Sequence, residues 1–254
     1  MKHPVGETGG AGPAPEVVRA LFPSDRLSLV ERYAELLATD GVVRGLIGPR
    51  EVPRLWDRHL VNCALLATAL PRDARLADIG SGAGLPGLVV ALARPDVRVT
   101  LVEPLLRRTT FLEEVAAGLG LDNVLVRRDR ADAVHGDETY DVVTARAVAP
   151  LERLLGWCMP LVAPAGFLLA MKGDSAEEEI DSARSVLREL GCAAPTVEVL
   201  SAPPVAGSAA PGTTSAQTRV VRVTWADPAR VSLPTSGGRG GGRSGKRRSP
   251  RRKR

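Results

Sequence analysis

Between residues 73 and 171 the rhythm of hydrophobic positions changes repeatedly. Short continuous apolar runs, each halted by a charged residue or a glycine, alternate with longer stretches whose apolar positions recur every three or four residues. The first kind reads as buried strands and the second as amphipathic helices. Strands are therefore predicted at 76–79, 97–102, 124–127, 140–145 and 167–171, with helices from residue 88, over 107–118 and over 151–159. Strand and helix taking turns imply a parallel sheet with helices on both faces. A charged amphipathic helix over 177–190, ending at Gly191, and an antiparallel pair at 197–200 and 219–225 complete the sheet.

Upstream, residues 16–70 read as helical. Leu27, Val30, Tyr33, Ala34 and Leu37 keep helical spacing after Ser24 as an N-cap, and Leu60, Ala64, Leu65 and Leu66 mark a second apolar face. A loop through Gly45, Gly48 and Pro49 joins them. Residues 1–15 are rich in Gly and Pro without an apolar stretch, which predicts a disordered leader and not a signal peptide. The expected layout is this leader, a helical N-terminal extension over 16–70, an α/β domain over 71–226 with a mobile loop at 203–218, and a disordered tail over 227–254.

The first predicted strand ends in Asp78-Ile79-Gly80-Ser81-Gly82-Ala83-Gly84-Leu85-Pro86-Gly87. Glycines at a strand end suit a tight turn, and without side chains at Gly80 and Gly82 a ligand can lie directly on the backbone. Glu103 closes the second strand, where a carboxylate can accept both hydroxyls of a ribose. Gly82-x-Gly84-x-x-Gly87 satisfies the dinucleotide fingerprint, in which a pyrophosphate rests on a helix N-terminus. Asp78 argues the other way: a carboxylate beside the turn repels a pyrophosphate and receives an amine-bearing cation. S-adenosyl-L-methionine is such a ligand, and the stretch resembles motif I of the class I methyltransferases.

Ligands of such sheets bind beyond the carboxyl ends of the strands, so Gly80, Glu103, Asp132 after the third strand and Arg146 after the fourth converge on one crevice. The loop after the third strand borders the adenine in this architecture, which lets Ala131 and Asp132 read its edge. Arg44, Arg50, Arg54 and Arg58, with Trp56 and His59 among them, are placed to form a cationic lip over that crevice. Lys172 ends the strand at 167–171 and is the one lysine between Lys2 and Lys246, a compact charge where every other cation is arginine.

Charge changes the picture at one end only. The net charge is +5, yet 237–254 holds seven Arg and two Lys and no acid, so the remainder is net −4. That tail cannot bury a core and carries the electrostatic footprint of nucleic-acid contact. Cys63, Cys158 and Cys192 lie far apart without CxxC spacing, as do His3, His59 and His135, so no zinc site is expected and the cysteines suit a reducing cytoplasm. No apolar run approaches the roughly 20 residues of a membrane span.

The motifs Arg58-His59-Leu60, Asp78 to Gly87 with its Gly84-Leu85-Pro86-Gly87, Arg130-Ala131-Asp132, Ala145-Arg146-Ala147 and Met171-Lys172-Gly173 come in an order that resembles the RsmG (GidB) family over about 36–225. That family methylates N7 of a guanine in the 530 loop of bacterial 16S ribosomal RNA. The resemblance implies the fold of a class I, Rossmann-like S-adenosylmethionine-dependent methyltransferase. It also implies cofactor contacts from Gly80, Leu85, Ala131, Asp132 and Arg146, with His59 and Lys172 near the RNA side. The family's usual His-x-x-Asp is His59-Leu60-Val61-Asn62 here, and its Asn-Leu-Thr is Gly45-Leu46-Ile47.

The chemistry agrees with that target. The position after the fourth strand reads Thr144-Ala145-Arg146-Ala147-Val148-Ala149, without the Asn/Asp-Pro-Pro-aromatic motif of exocyclic-nitrogen methylation, and no cysteine is placed for carbon-5 methylation. Guanine N7 offers a lone pair and no proton, so no side-chain base is expected and catalysis reduces to positioning and electrostatics. The competing readings are a methyltransferase of the same fold acting on a small molecule or protein, a nicotinamide-dependent oxidoreductase, and an RNA-binding module with a vestigial crevice.

Overall fold

The structure is a computed structural model that describes residues 10–203 and 216–233. Residues 1–9 of the expected leader, 204–215 of the expected mobile loop and the tail from 234 onward lie outside the described residues. Strands β1 (Arg75–Ile79), β2 (Arg98–Val102), β3 (Val124–Arg127), β4 (Tyr140–Arg146), β5 (Val162–Met171), β6 (Thr196–Ser201) and β7 (Gln217–Thr224) form one sheet. Their order is β3-β2-β1-β4-β5-β7-β6, with β1 to β5 parallel and β7 antiparallel to both of its neighbours. This is the class I methyltransferase sheet. The order reverses between β1 and β4, and an α/β sheet opens a ligand crevice where such a reversal occurs.

Helices cover the two faces unequally. The N-terminal part comprises α1 (Val18–Leu21), α2 (Leu27–Leu36), α3 (Asn62–Ala64) and several tighter or wider turns, among them a 3-10 turn Pro49–Arg54 and a π-helical segment Leu55–Val61. With α4 (Gly87–Ala93) and α5 (Leu106–Gly118) it packs on the face to which Leu76, Val142 and Leu169 point. Helices α6 (Leu151–Cys158), α7 (Ala176–Ser182) and α8 (Arg184–Glu189) cover the other face, against Ala77, Val143, Leu168 and Ala170. Successive strand residues point to opposite faces, which is why these strands read as unbroken apolar runs. The same alternation puts Asp78 with Leu76, on the face of α4 and the extension.

Several boundaries differ from the sequence reading. Ser24 makes no capping bond: Pro23 holds φ at −56°, Ser24–Arg26 forms a 3-10 turn, and α2 starts at Leu27. The helix expected over 177–190 is two helices that meet at Ala183, whose N–H donates to the carbonyls of both Glu179 and Ile180 and so tightens the last turn of α7. Strand β5 starts at Val162, ahead of the expected start at 167, and accommodates Pro164 and Gly166 by a register shift against Tyr140–Val142 of β4. Part of the expected leader is tied to the extension: Trp56 donates its indole N–H to the Gly12 carbonyl at 3.0 Å, and Ala11 is buried. The extension also shares one core with the sheet, since Tyr33, Leu37, Leu55 and Leu60 lie in the same buried cluster as Leu76, Leu88 and Leu101.

Candidate active site

The turn after β1 is held by hydrogen bonds from both sides. The N–H groups of Gly80 and Ser81 donate to the Val102 carbonyl at the end of β2, at 2.8 and 3.3 Å. The N–H of Gly82 donates to Glu103 Oε2 at 3.0 Å. Gly80 sits at φ +73°, and a Cβ there would stand 2.8 Å from Val148 Cγ2. At Gly87 the constraint is close approach: a Cβ would run into Leu101 Cδ2 and come within 2.7 Å of Asp78 Oδ2. The gap left by that missing side chain lets Asp78 Oδ2 accept the Gly87 N–H at 2.9 Å.

That bond decides between the two cofactor readings. Asp78 is wholly buried beneath the turn and occupies the N-terminus of α4, where a dinucleotide would place its pyrophosphate. Burial pushes its carboxyl up to about 7, against the pull of the Gly87 N–H, Ser81 and Arg146, while the nearby Glu103 adds to the rise. Its other oxygen, Oδ1, has no hydrogen-bond partner. A buried, half-satisfied acid favours a cation nearby and opposes an anion.

Above the turn opens a crevice of about 630 Å³, lined by Gly80, Ser81, Gly82, Ala83 and Leu85 on the turn, by 103–105 and Arg108 after β2, and by 146–148 after β4. Leu46, Ile47 and His59 of the extension close it. Of the four residues expected to converge on one crevice, Gly80, Glu103 and Arg146 line it together with Gly82, Leu85 and His59, and Asp132 does not. Ala131 and Asp132 stand on a 3-10 turn after β3, outside this lining. Ala147 holds φ +53°, a left-handed conformation that costs a non-glycine residue on the order of 1–3 kcal/mol and gathers at functional sites.

The carboxylate of Glu103 is already engaged. Oε2 accepts from Gly82 and, at 3.3 Å, from Arg108 Nη1, and Oε1 accepts from the Leu105 N–H at 3.1 Å. Buried but lining the crevice, it offers a fixed pair of acceptors. Arg108 keeps a buried Nε without a partner.

Across the crevice the extension supplies the contacts. The Tyr33 hydroxyl donates to the Ala83 carbonyl at 2.7 Å, both buried. Burial, with Cys63 and Asp78 nearby, raises its pKa well above that of a free phenol, so it stays a donor. Arg146 donates through Nη2 to His59 Nδ1 and through Nη1 to Cys63 Sγ at 3.0 Å. His59 Nε2 lies 2.8 Å from Glu51 Oε2. Burial lowers the His59 pKa, the Glu51 carboxylate works against that, and Arg146 adds to it. Cys63 is buried behind Arg146, and burial pushes its thiol up to about 11, which makes it a packing and acceptor group instead of a nucleophile.

The expected cationic lip is only partly formed. Arg44 pairs with Glu114 at 2.5 Å and lies over the Phe111 ring, and Trp56 is buried. Arg50, Arg54 and Arg58 are exposed. Lys172 does not face the crevice: its ammonium donates to the Ala149 carbonyl at 2.8 Å and pairs with Glu179 at 2.7 Å, bracing the loop that follows Arg146. Sequence reasoning passed over Tyr33, Glu51, Cys63, Arg108 and Val148. Only Tyr33 carried a signal, since a tyrosine on an apolar helix face needs a buried partner for its hydroxyl. Among the described residues no group of three or more His, Cys, Asp or Glu side chains is placed to hold a metal, and no helix is long and apolar enough to cross a membrane.

Comparison with known proteins agrees with this geometry. The chain is 66% identical over 220 residues to "Ribosomal RNA small subunit methyltransferase G" of a Nocardioides strain, covering 87% of this chain and 84% of that one. It is 59% identical over 180 residues to the protein of that name from Streptomyces avermitilis, covering 70% and 75%. A candidate transferase of Pyrococcus horikoshii shares the fold, with a TM-score of 0.50 at 14% identity over 65% of this chain and 62% of that one. The family model described as rRNA small subunit methyltransferase G matches residues 26–204. The chain therefore belongs to the GidB family, the S-adenosylmethionine-dependent methyltransferases of small-subunit ribosomal RNA.

Proposed function

We propose that this enzyme methylates N7 of a guanine in the 530 loop of 16S rRNA, in the cytoplasm, on the small ribosomal subunit or its precursor. S-adenosyl-L-methionine, when bound, supplies an electrophilic methyl group on a sulfonium. In this reading Gly80, Gly82 and Leu85 carry the cofactor on the turn, and Glu103 takes its ribose hydroxyls. Ala131 and Asp132 border its adenine, and Arg146 takes its carboxylate, which a planar guanidinium suits. Arg58 and His59 lie toward the RNA, and Lys172 acts on that side through the loop it braces. The basic run at 237–254 adds salt-sensitive affinity for RNA without choosing the base.

The observation that carries the N7 assignment is the state of His59. It is the one imidazole in the crevice lining, and both ring nitrogens are engaged, Nε2 by Glu51 and Nδ1 by Arg146. Glu103, the one carboxylate there, is equally occupied. A site whose titratable groups all hold other partners suits a nucleophile that has no proton to lose. Transfer of labelled methyl to 30S subunits, with the modified nucleotide mapped by cleavage at 7-methylguanine, tests the target. The single-turnover rate at saturating substrates should be nearly flat from roughly pH 6.5 to 8.5, where a histidine base would impose a titration limb. Modification at another atom, or a limb that vanishes on replacing His59, overturns the reading.

A further inference from the structure

Arg146 reaches the crevice from the end of a strand, and its guanidinium is steered by a chain of side chains that begins outside the crevice. A guanidinium only donates, so His59 Nδ1 must be the acceptor in the Arg146–His59 contact. A neutral imidazole with a free Nδ1 carries its proton on Nε2, the nitrogen that faces Glu51 Oε2 at 2.8 Å. The two neighbours thus demand the same tautomer. Glu51 sits on the 3-10 turn Pro49–Arg54 and does not line the crevice. The hydrogen bond from His59, followed by the charges of Arg58 and Arg54, holds its carboxyl below the usual range, so it is an anion throughout neutral pH.

We propose that Glu51 is a positioning residue of the methyltransferase site: by anchoring His59 Nε2–H it presents the Nδ1 lone pair that fixes the Arg146 guanidinium for cofactor binding. The inference rests on the reading that Arg146 binds the cofactor. A metal-ligating histidine is oriented by an acid on its far nitrogen in the same way, and here a guanidinium stands where the metal would. The groups facing His59 are Glu51 from the 3-10 turn, Arg58 from its own segment and Arg146 from β4, with Cys63 on the far side of that guanidinium. Protonating His59 would place an N–H against a donor, so the contact with Arg146 exists only while the imidazole is neutral.

Calorimetric titration of the full chain with S-adenosylmethionine tests this. Glu51→Ala should weaken binding about three- to tenfold, the loss of one charge-assisted hydrogen bond acting through the ring. In an Arg146→Ala background the same substitution should change nothing further, because the group it positions is gone. The acid limb of cofactor affinity should also move to lower pH in Glu51→Ala, since the carboxylate that favours the imidazolium has been removed. Glu51 is partly exposed and the variant should melt near the wild-type temperature. Equal effects of Glu51→Ala with and without Arg146, or an unmoved acid limb, would overturn the proposal. If instead Arg146→Ala alone left the affinity unchanged, the assignment of Arg146 to the cofactor would fail first, and with it the reading this proposal rests on.

Discussion

The crevice has two walls made of different material. On the sheet side Gly80 and Ser81 bond to the Val102 carbonyl, Gly82 bonds to Glu103, and the Asp78–Gly87 contact fastens the turn to α4. These are mostly backbone groups within about a turn of a strand end, and the geometry is set locally. On the helical side His59 lines the crevice, while Tyr33, Glu51 and Cys63 support its turn, its imidazole and its guanidinium from behind through side chains of other helical elements. The contacts from Tyr33 and from Arg146 to His59 span 50 and 87 residues of chain. A wall made of backbone tolerates no added atoms; a wall made of side chains depends on whether distant elements pack. The two should fail differently when altered.

The largest effect should come from the packing of the helical wall. Leu60 is fully buried in the cluster that joins the extension to the sheet, and Leu60→Ala should cost about 2–5 kcal/mol. Because the core is shared, calorimetry should show one transition moved to lower temperature. Two transitions, with the upper one at the wild-type temperature, would make the helical wall a separate unit and break the comparison.

Next comes the backbone wall. Gly87→Ala forces a methyl against Leu101 and Asp78, and overpacking of this kind costs about 1–3 kcal/mol. It should also displace Asp78 from the α4 N-terminus, so cofactor affinity should fall more than the stability loss alone explains. A variant that binds normally after a drop in Tm would show that the contact serves packing only.

This division explains what could be read from the chain. The glycine turn, Glu103 and Arg146 were legible because glycine spacing and strand ends are local signals with a physical meaning. The parallel sheet with helices on both faces was legible from the alternation of strand and helix, whereas its strand order was not. Glu51 was not legible, since nothing in its neighbours marks a carboxylate that will meet a histidine eight residues on. Lys172 misled for the same reason in reverse. Its rarity suggested the crevice, whereas Glu179 and the Ala149 carbonyl, distant in sequence, take its charge. Ser24 carried the residue type of a cap, but Pro23 started a tighter turn first.

A paired measurement sharpens the comparison. Glu103→Ala removes a carboxylate proposed to hold the ribose and should weaken S-adenosylmethionine binding at least about tenfold, as charge-assisted hydrogen bonds contribute about 1.5–3 kcal/mol each. Tyr33→Phe removes one neutral hydrogen bond to the turn, worth about 1 kcal/mol, so KM for the cofactor should rise about fivefold with kcat unchanged. A fall in kcat without a change in KM would place Tyr33 in the chemistry instead of behind the turn.

A pH series reads the junction of the two walls. Asp78 lies beneath the turn, within reach of Arg146, and its folded carboxyl titrates at about 7 because of burial. The unfolded chain gives up that proton in the ordinary carboxylate range, so the folded protein holds it more tightly across the interval between. The stabilisation from Asp78 is thus full in acid and is lost as pH rises through about 7. Asp78→Asn keeps an acceptor for the Gly87 N–H and cannot titrate, so its Tm should decline less than that of the wild type between about pH 5 and 8. A cationic ligand favours the ionised acid, and each unit by which it lowers the pKa is about tenfold in affinity. Wild-type affinity for S-adenosylmethionine should therefore rise several-fold from about pH 6 to 8 relative to Asp78→Asn. The ligand's own titration is common to both proteins and drops out of that ratio. Parallel profiles would mean that the unpartnered Asp78 oxygen does not sense the ligand, and the acid beneath the turn would be a packing element of the backbone wall alone.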